Sequence, residues 1–341
     1  MKNQRHTLTA GALLAVSAMI SGSIAQADDL PQTKNRQRLA VTQGFGGAKW
    51  SVMSRTGSTN QNVVSNALIG KLRPGANTQA AVDRGILHVS GDTWTLDVSA
   101  DGSAAEYRDQ DVASRMHALG RPASQQMSSA ALEQAGRAYI AANLSSQITL
   151  GTDEELVALR ADYRTDGGID LNTGEATNVV VANRVVFGRM IGGIPVVGNG
   201  SKVILTFGND GALESFHYDW PTYQAGATQS VTDPSEMMTR VQKVLGARSG
   251  VTSATSRVAL PNARSSAFPL VVTPNTQLQS FECGYYDSGS GSAQSIQPGC
   301  TYLAYSQDAN GIRQGYAGAV PAGTQFTADP SWLESGLLKA Q

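Results

Sequence analysis

Charge, aromatic rings and cysteine are all scarce in this chain, and each shortage removes a class of function. Of the 341 residues, 16% are charged and 6% are aromatic. Lys and Arg number 26 against 27 acids and form no cluster, which excludes a nucleic-acid groove or a patch for anionic membranes, since both need concentrated basic residues. The four histidines include no H-E-x-x-H pair and no two at metal-ligand spacing. There is no G-x-S-x-G elbow and no S-x-x-K, the local signatures of common serine nucleophiles. His217 in "ESFHYDW", beside Asp219, is the best lone candidate for acid–base work, but plain alternation on a strand is the better account of it. No catalytic residue, cofactor or metal is expected, and the chain reads as a binding protein rather than an enzyme.

Long apolar runs are missing too. The longest, Leu8–Ile20, falls short of the roughly 20 residues that a membrane-spanning helix needs. It follows Lys2, Arg5 and His6 and precedes Ala25-Gln26-Ala27, the layout of a secretory signal peptide with an A-x-A cleavage site. Removal of residues 1–27 would leave Asp28 at the N-terminus of a secreted or periplasmic protein without a membrane span. That mature chain carries 24 basic and 27 acidic residues, because only Lys2 and Arg5 are lost. Cys283 and Cys300 are the only cysteines. In an oxidising compartment they are expected to pair across "GYYDSGSGSAQSIQPG", with a gain of roughly 3 kcal/mol in the chain-entropy picture.

What the chain does have is glycine, 36 residues of it, concentrated in "RMIGGIPVVGNGSKVILTFGNDG" (189–211). A dinucleotide fingerprint starting at Gly198 would need glycine where Val203 stands, and a P-loop from Gly193 would need Lys where Asn199 stands. Tight turns remain: Gly192-Gly193-Ile194-Pro195, Gly198-Asn199-Gly200 and Asn209-Asp210-Gly211. In "DYRTDGGIDLNTGE", Asp170 and Asn172 offer oxygen ligands, but a calcium loop would need Glu at Val181. A turn between strands accounts for that stretch, and a weak ion site near Asp170 stays open.

Residues 39–110 read as strand-like pieces. Helical patterns follow at "DQDVASRMHAL", at 128–144 with Leu132, Ala135 or Gly136, Tyr139, Ile140 and Leu144 on one face, and at 233–246 behind the cap Asp233-Pro234. An internal repeat lays 94–107 over 203–216, so that Leu96 meets Leu205 and Asp101-Gly102 meets Asp210-Gly211, with a looser copy at 302–312. Each copy reads as strand, Asp-Gly or Asn-Gly turn, strand. The expectation is an α+β protein of tandem modules, each with one helix packed on an antiparallel meander, divided at 28–122, 123–225 and 226–341.

"VVFGRMIGGIPVVGNGSKVILTFGNDGALESF" resembles the FTP and PepSY-like propeptide modules of secreted thermolysin-type metallopeptidases. The match rests on Phe187, Gly193, Ile194, Pro195, Val196, Val203, Leu205, Asp210 and Gly211 and covers roughly 125–220. No H-E-x-x-H domain follows, so the resemblance implies a stand-alone, cystatin/PepSY-like binding protein that docks on, inhibits or helps fold a secreted or periplasmic metallopeptidase. Its docking face would include Lys202, Thr206, Glu214 and His217. The alternative is an envelope protein binding a small molecule or glycan through exposed Trp220, Tyr223, Tyr285 and Tyr286.

Overall fold

The structure, a computed structural model, describes residues 48–118, 121–122, 126–233, 236–237, 240, 277–289, 295–307 and 313–323. In chain order the strands are β1 (Lys49–Thr56), β2 (Gln79–Asp83), β3 (Ile86–Ser90), β4 (Trp94–Val98), β5 (Ala104–Asp109), β6 (Arg121–Pro122), β7 (Glu154–Ile169), β8 (Ala176–Ile191), β9 (Ile194–Gly198), β10 (Lys202–Gly208), β11 (Leu213–Asp219), β12 (Thr222–Ser230), β13 (Gln277–Asp287), β14 (Ser295–Gln307) and β15 (Arg313–Pro321). The helices are α1 (Gln61–Leu72), α2 (Gln110–Ala118) and α3 (Ser129–Tyr139), the last running into a π-helical turn at Ile140–Leu144. The signal sequence expected at 1–27 lies outside the described residues, as does most of the helix expected at 233–246.

All fifteen strands join one sheet, in the order β12-β1-β14-β13-β9-β8-β10-β11-β5-β4-β3-β2, with β6 and β7 on β8 and β15 on β14. Every pairing is antiparallel except β9 with β13. This overturns the expected α+β layout of separate one-helix modules: the described chain is mostly strand, with three α-helices serving a single mixed sheet. The reason lies at β5 and β11. Each would end its own meander, but they pair over Ser215↔Arg108 to Asp219↔Ala104 and merge the two meanders. Val64 and Leu68 of α1 and Leu132 of α3 then enter the same core as Leu96, Val98, Tyr107, Phe187, Leu205 and Phe216.

Helix α1 was not legible as a helix. Asn60 caps it, its side chain accepting from the Asn62 amide at 2.8 Å, but Val63 and Val64 are β-branched and only Val64, Ser65 and Leu68 are buried. Helix α3 matches its sequence pattern, and the contact residue proves to be Gly136. A Cβ there would lie 2.7 Å from the Phe187 ring and 2.9 Å from Val185, so glycine lets the helix sit directly on β8.

A second core gathers Trp50, Met53, Ile191, Val196, Tyr285, Ile296, Tyr302 and Val320 from β1, β8, β9 and β13–β15. Cys283 and Cys300 face each other across β13 and β14 and form the expected disulfide. Strand β9 joins the cores. It forms a hairpin with β8 through Ile191↔Ile194 and then runs parallel to β13 through Val196↔Tyr285.

Candidate functional site

Alternation divides β10 and β11 cleanly. Val203, Leu205, Phe207, Phe216 and Tyr218 are buried in the first core. Between them Lys202, Ile204, Thr206, Ser215 and His217 are half-buried on the opposite face. Lys202, Thr206 and His217 therefore share a surface, as expected, but Glu214 does not stand free beside them. The register slips where Thr206 pairs with Ser215 and Phe207 with Leu213, leaving Glu214 opposite no residue. Its carboxylate is buried and held by Arg164 through bonds of 2.7 and 3.0 Å. Lys202 is tethered as well, its Nζ donating to the carbonyls of Val196 and Gly200 at 3.1 Å each.

The face continues across the sheet as paired charges. Arg184 grips Asp162 through two bonds of 2.7 and 2.9 Å, and Arg160 reaches the same carboxylate at 2.8 Å. The hydrogen bonds that Arg184 donates to Asp162, which outweigh partial burial, raise its pKa. Along the next register row His88 meets Asp97, Asp97 meets Glu106 and Glu106 meets His217. His88 Nδ1 lies 2.8 Å from Asp97, and His217 Nδ1 lies 3.9 Å from Glu106. Burial lowers the His217 pKa despite that carboxylate. At the centre of the mosaic Ile204 and Val186, cross-strand neighbours, form a small half-buried apolar spot. Chemically, this surface offers shape, hydrogen bonds and a few apolar contacts rather than a field of one sign.

The glycine-rich stretch divides into two devices. Gly192 and Gly193, at φ +57° and +75°, make the two-residue turn between β8 and β9, and Gly211, at φ +83°, serves the β10–β11 turn beside Asp210. No atom lies within 4 Å of where a Cβ would stand on any of the three, so conformation alone demands glycine there. Gly198, itself at φ +100°, and Gly200 also answer a second need. A Cβ on Gly198 would strike the Asp287 carbonyl oxygen at 2.2 Å, and one on Gly200 the Asp287 carboxylate at 2.1 Å. Of the other motif residues, Ile194 and Pro195 pair with Ile191 and Met190, and Val196 enters the second core.

Asp287 is the anchor of a buried polar junction between the two cores. It accepts from Ser201 Oγ and Tyr223 OH at 2.8 Å each and from the Gly289 amide at 3.1 Å. Nearby, Arg189 is 1% exposed. Its guanidinium lies 4.0 Å from the centre of the Trp220 ring and 5.3 Å from that of Tyr223, donates to the Pro221 carbonyl at 2.7 Å and approaches Glu154 at 3.5 Å. Burial lowers its pKa against those neighbouring acids. Asp219 is buried with Oδ1 unpartnered. Burial, reinforced by the Asp287 charge, pushes its pKa up to about 7.

The aromatic platform imagined for a glycan is thereby consumed. Trp220 and Tyr285 are buried, while Tyr223 and Tyr286 pack against the second core. Sequence reading missed Arg189 and Asp287 and saw Asp219 only as the neighbour of His217; the one available signal was Arg189 itself, the only charge besides Lys202 in the run from Val185 to Val203.

At the β7–β8 turn, Asp170 Oδ1 accepts from the amides of Asn172 and Thr173 at 2.8 and 3.2 Å, which closes the turn on itself. Among the described residues no three His, Cys, Asp or Glu side chains are grouped to hold a metal, and no helix is long and apolar enough to cross a membrane. No protein-family model matches the chain, and no curated protein is significantly similar to it.

Proposed function

We propose that this chain is an exported, non-enzymatic binding protein that docks on a secreted or periplasmic metallopeptidase, inhibiting it or assisting its folding. The observation that carries the reading is the split on β10 and β11: one side is sealed in the core while Lys202, Ile204, Thr206 and His217 stay accessible on the other. The likeness of residues 187–211 to FTP and PepSY-like propeptide modules supplies the kind of partner. Those modules lay a sheet surface against their enzyme.

Because the charges on this face are already paired, affinity would come from fit and desolvation. Binding should weaken little between low and moderate salt, unlike a charge-steered complex. The test is capture on immobilised mature protein from the culture supernatant of the source organism, followed by inhibition assays on each captured metallopeptidase. Capture that is lost on Thr206→Arg and Ile204→Asp, with melting temperatures unchanged, supports the reading. Association with no peptidase removes it.

A further inference from the structure

The long hairpin of β7 and β8 outgrows the sheet. Strand β10 pairs β8 as far as Ala182, and β6 pairs Val180 and Val179. From Asn178 to the turn, β8 pairs only with β7 among the described residues. Every residue from Asp166 to Asn178 is exposed, so both faces of this arm meet solvent. A two-stranded ribbon alone in water is marginally stable, yet the tip of this one is firmly closed. Besides the two amides held by Asp170 Oδ1, the Asp170 carbonyl accepts from the Gly174 amide at 2.7 Å and the Glu175 carbonyl from the Asp170 amide at 2.9 Å. Thr173 Oγ1 accepts from the Glu175 amide at 3.2 Å. The closed turn leaves Leu171 at 94% exposure and Ile169 at 62%, the two most exposed large apolar side chains among the described residues. A turn ordered in advance loses little freedom when a partner covers it. The arm from Thr165 to Asn178 carries Asp166, Asp170 and Glu175 and no Lys or Arg. Its complement is an apolar hollow with a cationic rim.

The opposite end of the sheet has such a hollow. Where the end of β1, the β2–β3 turn and the β4–β5 turn meet, Arg55, Ser58, Arg84, Ile86, Ser99 and Asp101 line a cavity of about 400 Å³. Ile86 is exposed there. The Asp101 charge is already engaged: Arg55 bonds it at 2.7 Å, and Ser99 and Ser103 donate to it at 2.8 Å each. Arg84 has no ion-pair partner among the described residues, so the lining keeps one excess positive charge. The register sets arm and cavity apart. Arg184, Thr206, Ser215, Arg108 and Thr95 form one row across the strands, and Gly188, Lys202, Asp219 and Ala104 form another. The arm lies beyond the first row and the β4–β5 turn beyond the second. An arm that fills this cavity therefore comes from a second molecule.

We propose that copies of this chain associate head to tail through these two elements: Leu171 of one molecule enters the cavity of the next against Ile86, and Asp170 and Glu175 face Arg84. Donor and acceptor surfaces differ, so the contact is heterologous and can propagate from copy to copy. Neither surface belongs to the face of β10 and β11, so the inference is independent of the peptidase reading.

The test is sedimentation velocity of the mature protein, with Leu171→Asp to disable the arm and Arg84→Asn to disable the cavity. Leu171 is almost wholly in solvent, and Asn suits the left-handed φ of +48° at position 84. Both variants should therefore keep or exceed the parent's melting temperature. The parent is expected to associate increasingly with concentration and to dissociate as salt rises. Each variant alone should need a concentration more than about tenfold higher to associate. An equimolar mixture of the two should form dimers and stop there, because the Arg84→Asn variant still donates an intact arm and the Leu171→Asp variant still offers an intact cavity. A parent that stays monomeric throughout, a variant that associates like the parent, or a mixture that stays monomeric overturns the proposal.

Discussion

Tyr107 and Phe216 face each other across β5 and β11 with their rings stacked at 5.6 Å and 21°. They are also equivalent positions of the internal repeat, the last residues of 94–107 and 203–216. A residue that meets its own equivalent lies on a local two-fold axis, and the flanking pairs obey it: Glu106 meets His217 and Arg108 meets Ser215. The ring pair should therefore be energetically coupled. With each replaced by Leu, singly and together, a double-mutant cycle in urea is expected to give about 0.5–1.5 kcal/mol of coupling. Additive losses would show that the rings merely fill space.

Two glycines should rank their substitutes differently. Gly211→Val is expected to cost more than about 1 kcal/mol through its φ of +83°, and Gly211→Asn to recover most of that, since Asn tolerates the left-handed region. At Gly136 the obstacle is the Phe187 ring, 2.7 Å from the missing Cβ. There Ala should cost about 1–3 kcal/mol despite its better helix propensity, and Asn should cost more. Thermal denaturation of the four variants decides between conformation and crowding at each site.

That difference also marks how far the sequence could be read. Turns at Gly193 and Gly211, helix α3 and the Cys283–Cys300 pair follow from local chemistry, and local chemistry is what a sequence displays. Gly198 and Gly200 do flank a bend between β9 and β10, with Gly198 at φ +100°, but a second constraint, the close approach of Asp287, arrives from far along the chain. The fold class failed for a similar reason. Whether β5 and β11 end two sheets or join one depends on pairing between residues about as distant, and the alternation on each strand is the same either way. On the candidate face, Lys202, Thr206 and His217 obeyed period two, while a bulge that no residue type announces removed Glu214.

Asp219 should make stability fall as pH rises. Its folded pKa of about 7 lies above the ordinary 3.8, so the native state holds the proton more tightly than the unfolded chain. The native state has this advantage in full below pH 3.8 and loses it progressively up to about pH 7. Asp219→Asn is expected to match the parent near pH 4 and to exceed it by a margin that grows to about 2–4 kcal/mol at pH 8. Asp101, whose pKa is lowered by its hydrogen bonds and Arg55 against the effect of burial, acts below that window. Parallel urea titrations at pH 4, 6 and 8 measure the margin; a constant gap would mean that Asp219 is not protonated natively.

The disulfide joins directly opposed residues of β13 and β14. The native protein should show no free thiols, and replacing both cysteines with Ser should lower stability by about 2–4 kcal/mol. Denaturing, non-reducing alkylation checks the first point. Chemical denaturation of the double variant checks the second.

Strand β9 gives the two cores different histories. The first core closes entirely on residues between Val64 and Trp220, so it can condense once that stretch has emerged. The second cannot. Trp50 and Met53 on β1 wait for β12 and β14, and Val196 on β9 waits for Tyr285. Until the last strands arrive, one half of the protein is folded while β1 and β9 stand with apolar side chains and unpaired backbone exposed. That interval, rather than the finished molecule, is when the chain is most open to aggregation and to chaperones.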